Sequence, residues 1–320
     1  MKKKQIVNLE IKDYVIRYTE SRRGKAQIER MGEHFLPPGI VRGGVIEDRE
    51  QFERILKSCV KKWRLKRKMV RLLMPDSLVF IRREVLPHDV AKNEIRQHIQ
   101  FHLGETIHLP FEQTVFETVY IQELEDGHEI SLISTDRGIA NQYVNIIQDL
   151  GMRVEAIDIS PLSFYRALYT HDIVTIEDHL LLIGYDVDQV TFSAFRFHTP
   201  IFLQEFDLES SEEIIDQLGP TLSKEDFNEE TVMDELEDLN IEVERVERFY
   251  QYMINNYEQQ FTKIAVTGDH PYLSEIVTTL EERYETPVYS IKEGLIQGPK
   301  GMTVESRFHN VYGLALKGGQ

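Results

Sequence analysis

Cysteine is almost absent from this chain. Among 320 residues there is one, Cys59, so no internal disulfide can form, and a reducing compartment, the cytoplasm, is expected. Cys59 lies four residues after Ile55 and four before Trp63, on one face of a helical pattern, which reads as a packing thiol rather than a nucleophile. Long apolar runs are missing too. Nothing approaches the ~18–20 residues that a membrane-spanning helix needs. The opening "MKKKQIVNLEIKDY" lacks the apolar stretch and small-residue cleavage site of a secretory signal, and none is expected. No Ser-centred elbow, dinucleotide glycine fingerprint or pair of catalytic carboxylates emerges, so no catalytic residue is assigned. Net positive charge is lacking as well. The balance is −17, which argues against nucleic acid as the main partner.

The charge that is present is unevenly placed. Residues 1–85 carry 22 Lys/Arg against 11 Asp/Glu, and "KKWRLKRKMVR" (61–71) alone has seven basic residues. Residues 205–247 carry 17 acidic residues against only Lys224 and Arg245. Each run reads first as a solvated face. The sharper reading is a molecule with poles, whose basic end can face an anionic membrane leaflet. His98 and His102 sit at i, i+4 with Glu94 and Glu105 nearby. No third His or Cys is obviously placed, so they read as a surface pair and no metal site is assigned.

Strand, turn and strand signals fill the first 36 residues, "QIVNLEI", "YVIRYT" and "KAQIERMGEHFL". The loop "LPPGIVRGGVIED" follows, and Asp48 then caps a helix with Phe52, Ile55, Leu56, Cys59 and Trp63 on one face. "KMVRLLMPD" is a strand. Residues 77–151 read as an insertion: an extended "SLVFIRREVLP", a helix in "HDVAKNEIRQHIQFHLGE", a hairpin of "QTVFETVYIQ" and "HEISLIST" across "ELEDG", and a helix ending at Gly151. A second meander, "HLLLIGYD", "QVTFSAFRF" and "PIFLQEFDL", opens the second half, which indicates an internally duplicated α/β fold. A helix is expected over about 229–259. Its Val232, Leu236, Leu239, Val243, Val246, Tyr250, Met253 and Tyr257 form a heptad-like seam, read as packing on the second sheet.

Taken in order, these pieces carry a resemblance. "LLMPDSLVFIRREVLP", "NEIRQHIQFHLGETIHLPFEQTVFETVYI", "GMRVEAIDISPLSFYRAL", "VERVERFYQYM", "KIAVTGDHPYLSEIVTTLEERYETPVY" and "VYGLALKG" resemble the PilM family of type IV pilus assembly proteins, within the actin-like, ribonuclease H-like superfamily that includes FtsA. The resemblance implies a duplicated two-domain actin-like fold with an FtsA-type inserted subdomain. Residues 1–76 and 152–178 would form the first domain, 77–151 the insertion, and 179–228 with 260–320 the second domain, the long helix at 229–259 forming its upper part. It implies a cytoplasmic scaffold at the inner face of the membrane. Such a scaffold binds the N-terminal tail of a PilN-like membrane-anchored partner and contacts other pilus assembly proteins. Ile81, Arg82, Arg83 and Leu86, on the strand entering the insertion, are the candidate tail contacts.

Typical relatives hold ATP between the two halves, so the corners that would hold it are informative. Two hairpin corners usually read Asp-Ile/Leu-Gly: the aspartate organises Mg²⁺ and the glycine lets backbone N–H groups reach phosphate. Here the first reads Glu10-Ile11-Lys12 and the second Leu182-Ile183-Gly184, followed by Tyr185-Asp186-Val187-Asp188. Leucine offers no oxygen to a hard cation. The third element, usually Thr-Gly-Gly, reads Thr267-Gly268-Asp269. Glu10, Lys12, Gly184, Asp186 and Gly268 are therefore expected to mark a vestigial nucleotide site with no cofactor. The alternative is an actin-fold ATPase taking Mg·ATP, with Glu10, Asp186 and Asp188 as replacement metal organisers.

Overall fold

The first apolar run gives β1 (Gln5–Ile11), whose residues after Gln5 are all buried, as expected of a strand covered on both faces. It turns back into β2 (Val15–Arg22) and β3 (Ile28–Phe35) as an antiparallel meander. After a short β4 (Val41–Arg42) and β5 (Val45–Ile46) comes α1 (Arg49–Trp63), whose cap Asp48 accepts from the Gln51 N–H. Its apolar face, including Cys59, is buried. β6 (Met69–Met74) and β10 (Arg153–Ile159) then add in parallel, giving the order β10-β6-β1-β2-β3. The computed structural model describes residues 5–23, 25, 27–208, 214–216, 219, 221–254 and 259–318.

The second half repeats this plan. β11 (Leu180–Tyr185), β12 (Gln189–Arg196) and β13 (Thr199–Asp207) form the meander, and β14 (Lys263–Thr267) and β15 (Val288–Tyr289) add in parallel. The order is β13-β12-β11-β14-β15. Reading each half from its own first strand, both sheets run third, second, first, fourth, fifth. Duplication is thus present in topology, although the halves share no evident sequence repeat.

Two helices join the halves. α4 (Ser160–Thr170), which follows the first sheet, and α7 (His309–Ala315), which ends the chain, lie in one buried cluster. That cluster also holds Leu180 and Leu182 of β11 and Ile28 of β3. Ser163 Oγ donates to the Asn310 carbonyl at 2.6 Å, and Thr19 Oγ1 of β2 donates to the Val311 carbonyl at 2.9 Å. Each half therefore packs a helix against the other.

Between β6 and β10 lies a separate three-stranded sheet, order β7-β9-β8, from β7 (Val79–Leu86), β8 (Thr114–Leu124) and β9 (Gly127–Asp136), with α2 (Ile95–His102) across it. α2 is shorter than the helical pattern of 88–105 suggests. α3 (Arg137–Asp149), grouped with the insertion by sequence, buries Ala140, Tyr143, Ile146 and Ile147 in the first domain's core. In the second half, α5 (Glu229–Phe249) runs into a π-helical turn, Tyr250–Ile254, and α6 (Leu273–Arg283) follows β14. α5 buries Val232, Leu236, Leu239, Val243 and Val246. Four of these, with Tyr250, enter the second core, so the seam is intramolecular packing. Tyr257, its last member by sequence, and parts of 209–228 lie outside the described residues.

Candidate functional site

The two hairpin corners face one another across the cleft between the sheets. At the first, the Lys12 N–H donates to the Val15 carbonyl at 2.9 Å, which makes a tight turn. Asp13 accepts from the Gly43 and Gly44 N–H groups of its own half at 2.5 and 2.9 Å. Those glycines have φ of 52° and 74°, and successive N–H groups in such a conformation form an anion nest. A carboxylate of the chain already occupies it. Glu10 is 2 % exposed. One of its oxygens accepts from Asn310 Nδ2 at 2.9 Å and the other has no hydrogen-bond partner.

Lys12 reaches across to the second corner, placing Nζ 2.6 Å from Asp186 Oδ1 and 3.6 Å from Asp269 Oδ2. Asp269 is the hub. Its Oδ1 accepts from the Val187 N–H at 3.1 Å, and its Oδ2 accepts from Tyr14 OH at 2.6 Å and from Arg17 Nη1 at 2.5 Å. Arg17 is fully buried and also donates from Nε to Glu33 at 3.0 Å. The Asp269 N–H in turn donates to Asp186 Oδ1 at 3.1 Å. Three side chains of the first half, Lys12, Tyr14 and Arg17, are thereby fastened to two carboxylates of the second.

The electrostatics follow from burial and pairing. Burial opposes the Lys12 ammonium, but Asp186 and Asp269 outweigh it and raise its pKa. Burial alone would push Asp269 up; Lys12 and Arg17, with the hydrogen bonds from Tyr14 and Arg17, hold it well below the ordinary carboxylate range. Asp186 is raised by burial, with Lys12 opposing and Asp269 reinforcing.

Gly184 and Gly268 sit beside this cluster for packing reasons. A Cβ on Gly268 would lie 1.8 Å from the Tyr185 carbonyl oxygen, and its φ of 145° suits glycine. The same test at Gly184 meets Thr191 Oγ1 at 2.4 Å. Leu182 is buried in the core.

Next to the cluster opens a cavity of about 620 Å³, bounded by both corners, the β4–β5 turn and the end of β6. Its charged lining is dominated by acids: Glu10, Asp13, Asp76, Asp188, Glu205, Asp207 and Asp216 against Lys12 and Arg42. Asp76 is pushed up to about 7 by burial, with Asp186 and Glu205 adding to it. Glu205 is likewise pushed up to about 7, by burial and then by Asp207 and Asp13.

A family model described as type IV pilus assembly protein PilM matches residues 6–178. The chain belongs to the PilM family. Its fold is similar to that of a chain in a structure titled "PilM-PilN type IV pilus biogenesis complex", with a TM-score of 0.77 at 13 % identity, covering 98 % of both chains. It is also similar to the ethanolamine utilization protein EutJ from Carboxydothermus hydrogenoformans, with a TM-score of 0.56 at 12 % identity over 98 % of this chain and 90 % of that one. No curated protein matches. The fold of this PilM-family chain is accordingly the actin-like one, and its role lies in type IV pilus assembly.

The candidate tail contacts lie elsewhere, on the inserted sheet. Ile81 and Leu86 are 3 % and 4 % exposed, so they present no surface to a partner. Arg82 Nη1 donates to the His108 carbonyl at 3.2 Å, and Arg83 Nε lies 2.6 Å from Glu129 Oε1. Sequence reasoning missed Tyr14 and Arg17 and took Asp269 only as a disruption. A signal was available: Arg17 sits in the run "YVIRYT", where a strand covered on both faces demands a partner for a buried charge.

Proposed function

We propose that this PilM-family protein is a scaffold for pilus assembly whose cleft is held by its own ion pairs in place of Mg·ATP. The observation that carries the proposal is Asp269. Its carboxylate takes the backbone N–H of the second corner, the hydroxyl of Tyr14 and the guanidinium of Arg17, donors of the kind a phosphate would use. Asp13 does the same at the Gly43–Gly44 nest. The residues present do not fit magnesium triphosphate. The adjoining cavity is lined by carboxylates, which repel a polyanion, and the second corner has Leu182 where a metal-organising oxygen would be needed.

On this reading the lobes form a docking frame. The partner is the short cytoplasmic tail of a PilN-like membrane-anchored protein, bound by the inserted subdomain and its border with the second lobe. Lys61, Lys62, Arg64, Lys66 and Arg67 are exposed where α1 turns toward β6, a surface suited to the anionic cytoplasmic leaflet. Isothermal titration of the purified chain tests both halves of the proposal. Synthetic PilN-like tail peptides bind saturably and Mg·ATP gives no saturable heat. Micromolar ATP binding with no tail binding overturns it.

A further inference from the structure

The inserted subdomain carries a constellation that neither the cleft nor the resemblance accounts for. Among the described residues, one group offers the geometry of a metal site: His88, Glu123 and His128, with one ligand atom of each within 4.8 Å of the other two. Three elements contribute. His88 stands two residues past the end of β7, Glu123 is near the end of β8, and His128, the second residue of β9, lies directly opposite Glu123 in the antiparallel ladder. Gly127 makes the convergence possible. A Cβ there would lie 2.0 Å from the Leu86 carbonyl oxygen, so only glycine lets the hairpin press against the end of β7.

We propose that His88, Glu123 and His128 bind a zinc ion. His88 Nδ1 lies 3.6 Å from Glu123 Oε1, and two ligands of a tetrahedral zinc ion are about 3.3 Å apart at ordinary Zn–N and Zn–O distances. The other ring nitrogen of His88, Nε2, is 3.1 Å from the Glu125 carbonyl. That bond makes Nε2 the donor and leaves Nδ1 as the free lone pair, the usual way a ligating histidine is oriented. His128 supplies the second, independent observation. It is 7 % exposed, and its Nδ1 is buried with no hydrogen-bond partner, an arrangement that costs free energy unless something binds there. Two imidazoles and one carboxylate favour zinc over Mg²⁺ or Ca²⁺, which prefer all-oxygen sets. Three protein ligands leave the fourth position open, and the exposed His88 and Glu123 place it toward solvent. The ion would tie the end of β7 to the β8–β9 hairpin.

The test is zinc titration of the tag-free full chain, followed by calorimetry and by the visible spectrum of the Co²⁺-substituted protein. One equivalent binds to the unmodified chain, and Co²⁺ gives tetrahedral d–d bands. Because His88 is exposed, His88→Ala folds normally and loses affinity by more than the about 10–100-fold that loss of a supporting hydrogen bond costs. His98→Ala/His102→Ala, which removes the stacked pair on α2 (ring centroids 4.1 Å apart), keeps the site. The proposal is overturned if the unmodified chain binds no zinc at micromolar concentration. It is equally overturned if His88→Ala retains the equivalent, or if the His98/His102 variant is the one that loses it.

Discussion

The two halves of the molecule share a strand order and differ in the charge they bring to the cleft. The corner of the first half contributes Lys12 and, one strand further, Arg17; the corner of the second contributes Asp186, and the end of its fourth strand contributes Asp269. In a duplicated nucleotide-binding fold the corresponding corners would resemble one another, because both face the same phosphates. Here they are complementary to each other. The difference teaches that two corners built on one strand order can differ enough in charge to bind each other directly across a cleft.

The complementarity can be broken at its hub. Asp269→Ala leaves Arg17 buried without its main carboxylate and Lys12 with one partner fewer, and removal of one member of a buried pair costs about 3–5 kcal/mol. Urea denaturation is the measurement. Replacing both sides with apolar residues, as in Arg17→Met/Asp269→Leu, recovers much of that loss, since no unpaired charge remains. If the double variant is as unstable as the sum of the single ones, the two residues are not coupled. Lys12→Ala has a smaller effect, about 1.5–3 kcal/mol, because Asp186 already sits in surroundings that raise its pKa and can neutralise itself by taking a proton.

The smallest effect separates the paired cluster from the acidic cavity beside it. The folded Asp76 and Glu205 carboxyls, both pushed up to about 7, bind protons more readily than they do in the unfolded chain. Above pH 7 this opposes folding in full. As pH falls from 7 toward about 4.5, the folded carboxyls are protonated and the penalty disappears. Asp269 has the opposite sign, and its contribution persists until far more acid pH. The melting temperature therefore rises between pH 8 and pH 5.5, and Glu205→Gln flattens the rise. A melting temperature that falls over that interval contradicts the acidic-cavity account.

Much of the fold was legible. The two meanders, the inserted hairpin across "ELEDG" and the helix capped by Asp48 announced themselves through apolar alternation, turn residues and a cap. What failed did so for tertiary reasons. The helical pattern of 88–105 gives only α2, because Leu103 bridges to Ile107 and closes the chain back after His102. Ile81 and Leu86 look like pocket residues in sequence, yet both are buried, Leu86 within the core of the inserted subdomain. At the cleft, residues departing from a phosphate-binding pattern were visible one by one. Their pairing was not, since Lys12 and Asp269 are brought together only by the closure of two halves distant in sequence. The zinc candidate shows the same limit. Helical spacing drew attention to His98 and His102, while the residues that converge, His88, Glu123 and His128, are joined by strand register.

The most direct test is a crystal structure of this chain grown with excess Mg·ATP. The account predicts Asp269 still bonded to Val187, Tyr14 and Arg17, Lys12 still on Asp186, and no triphosphate between the lobes. A well-ordered ATP with its metal held by Glu10, Asp186 or Asp188, and Lys12 turned onto the phosphates, would contradict it.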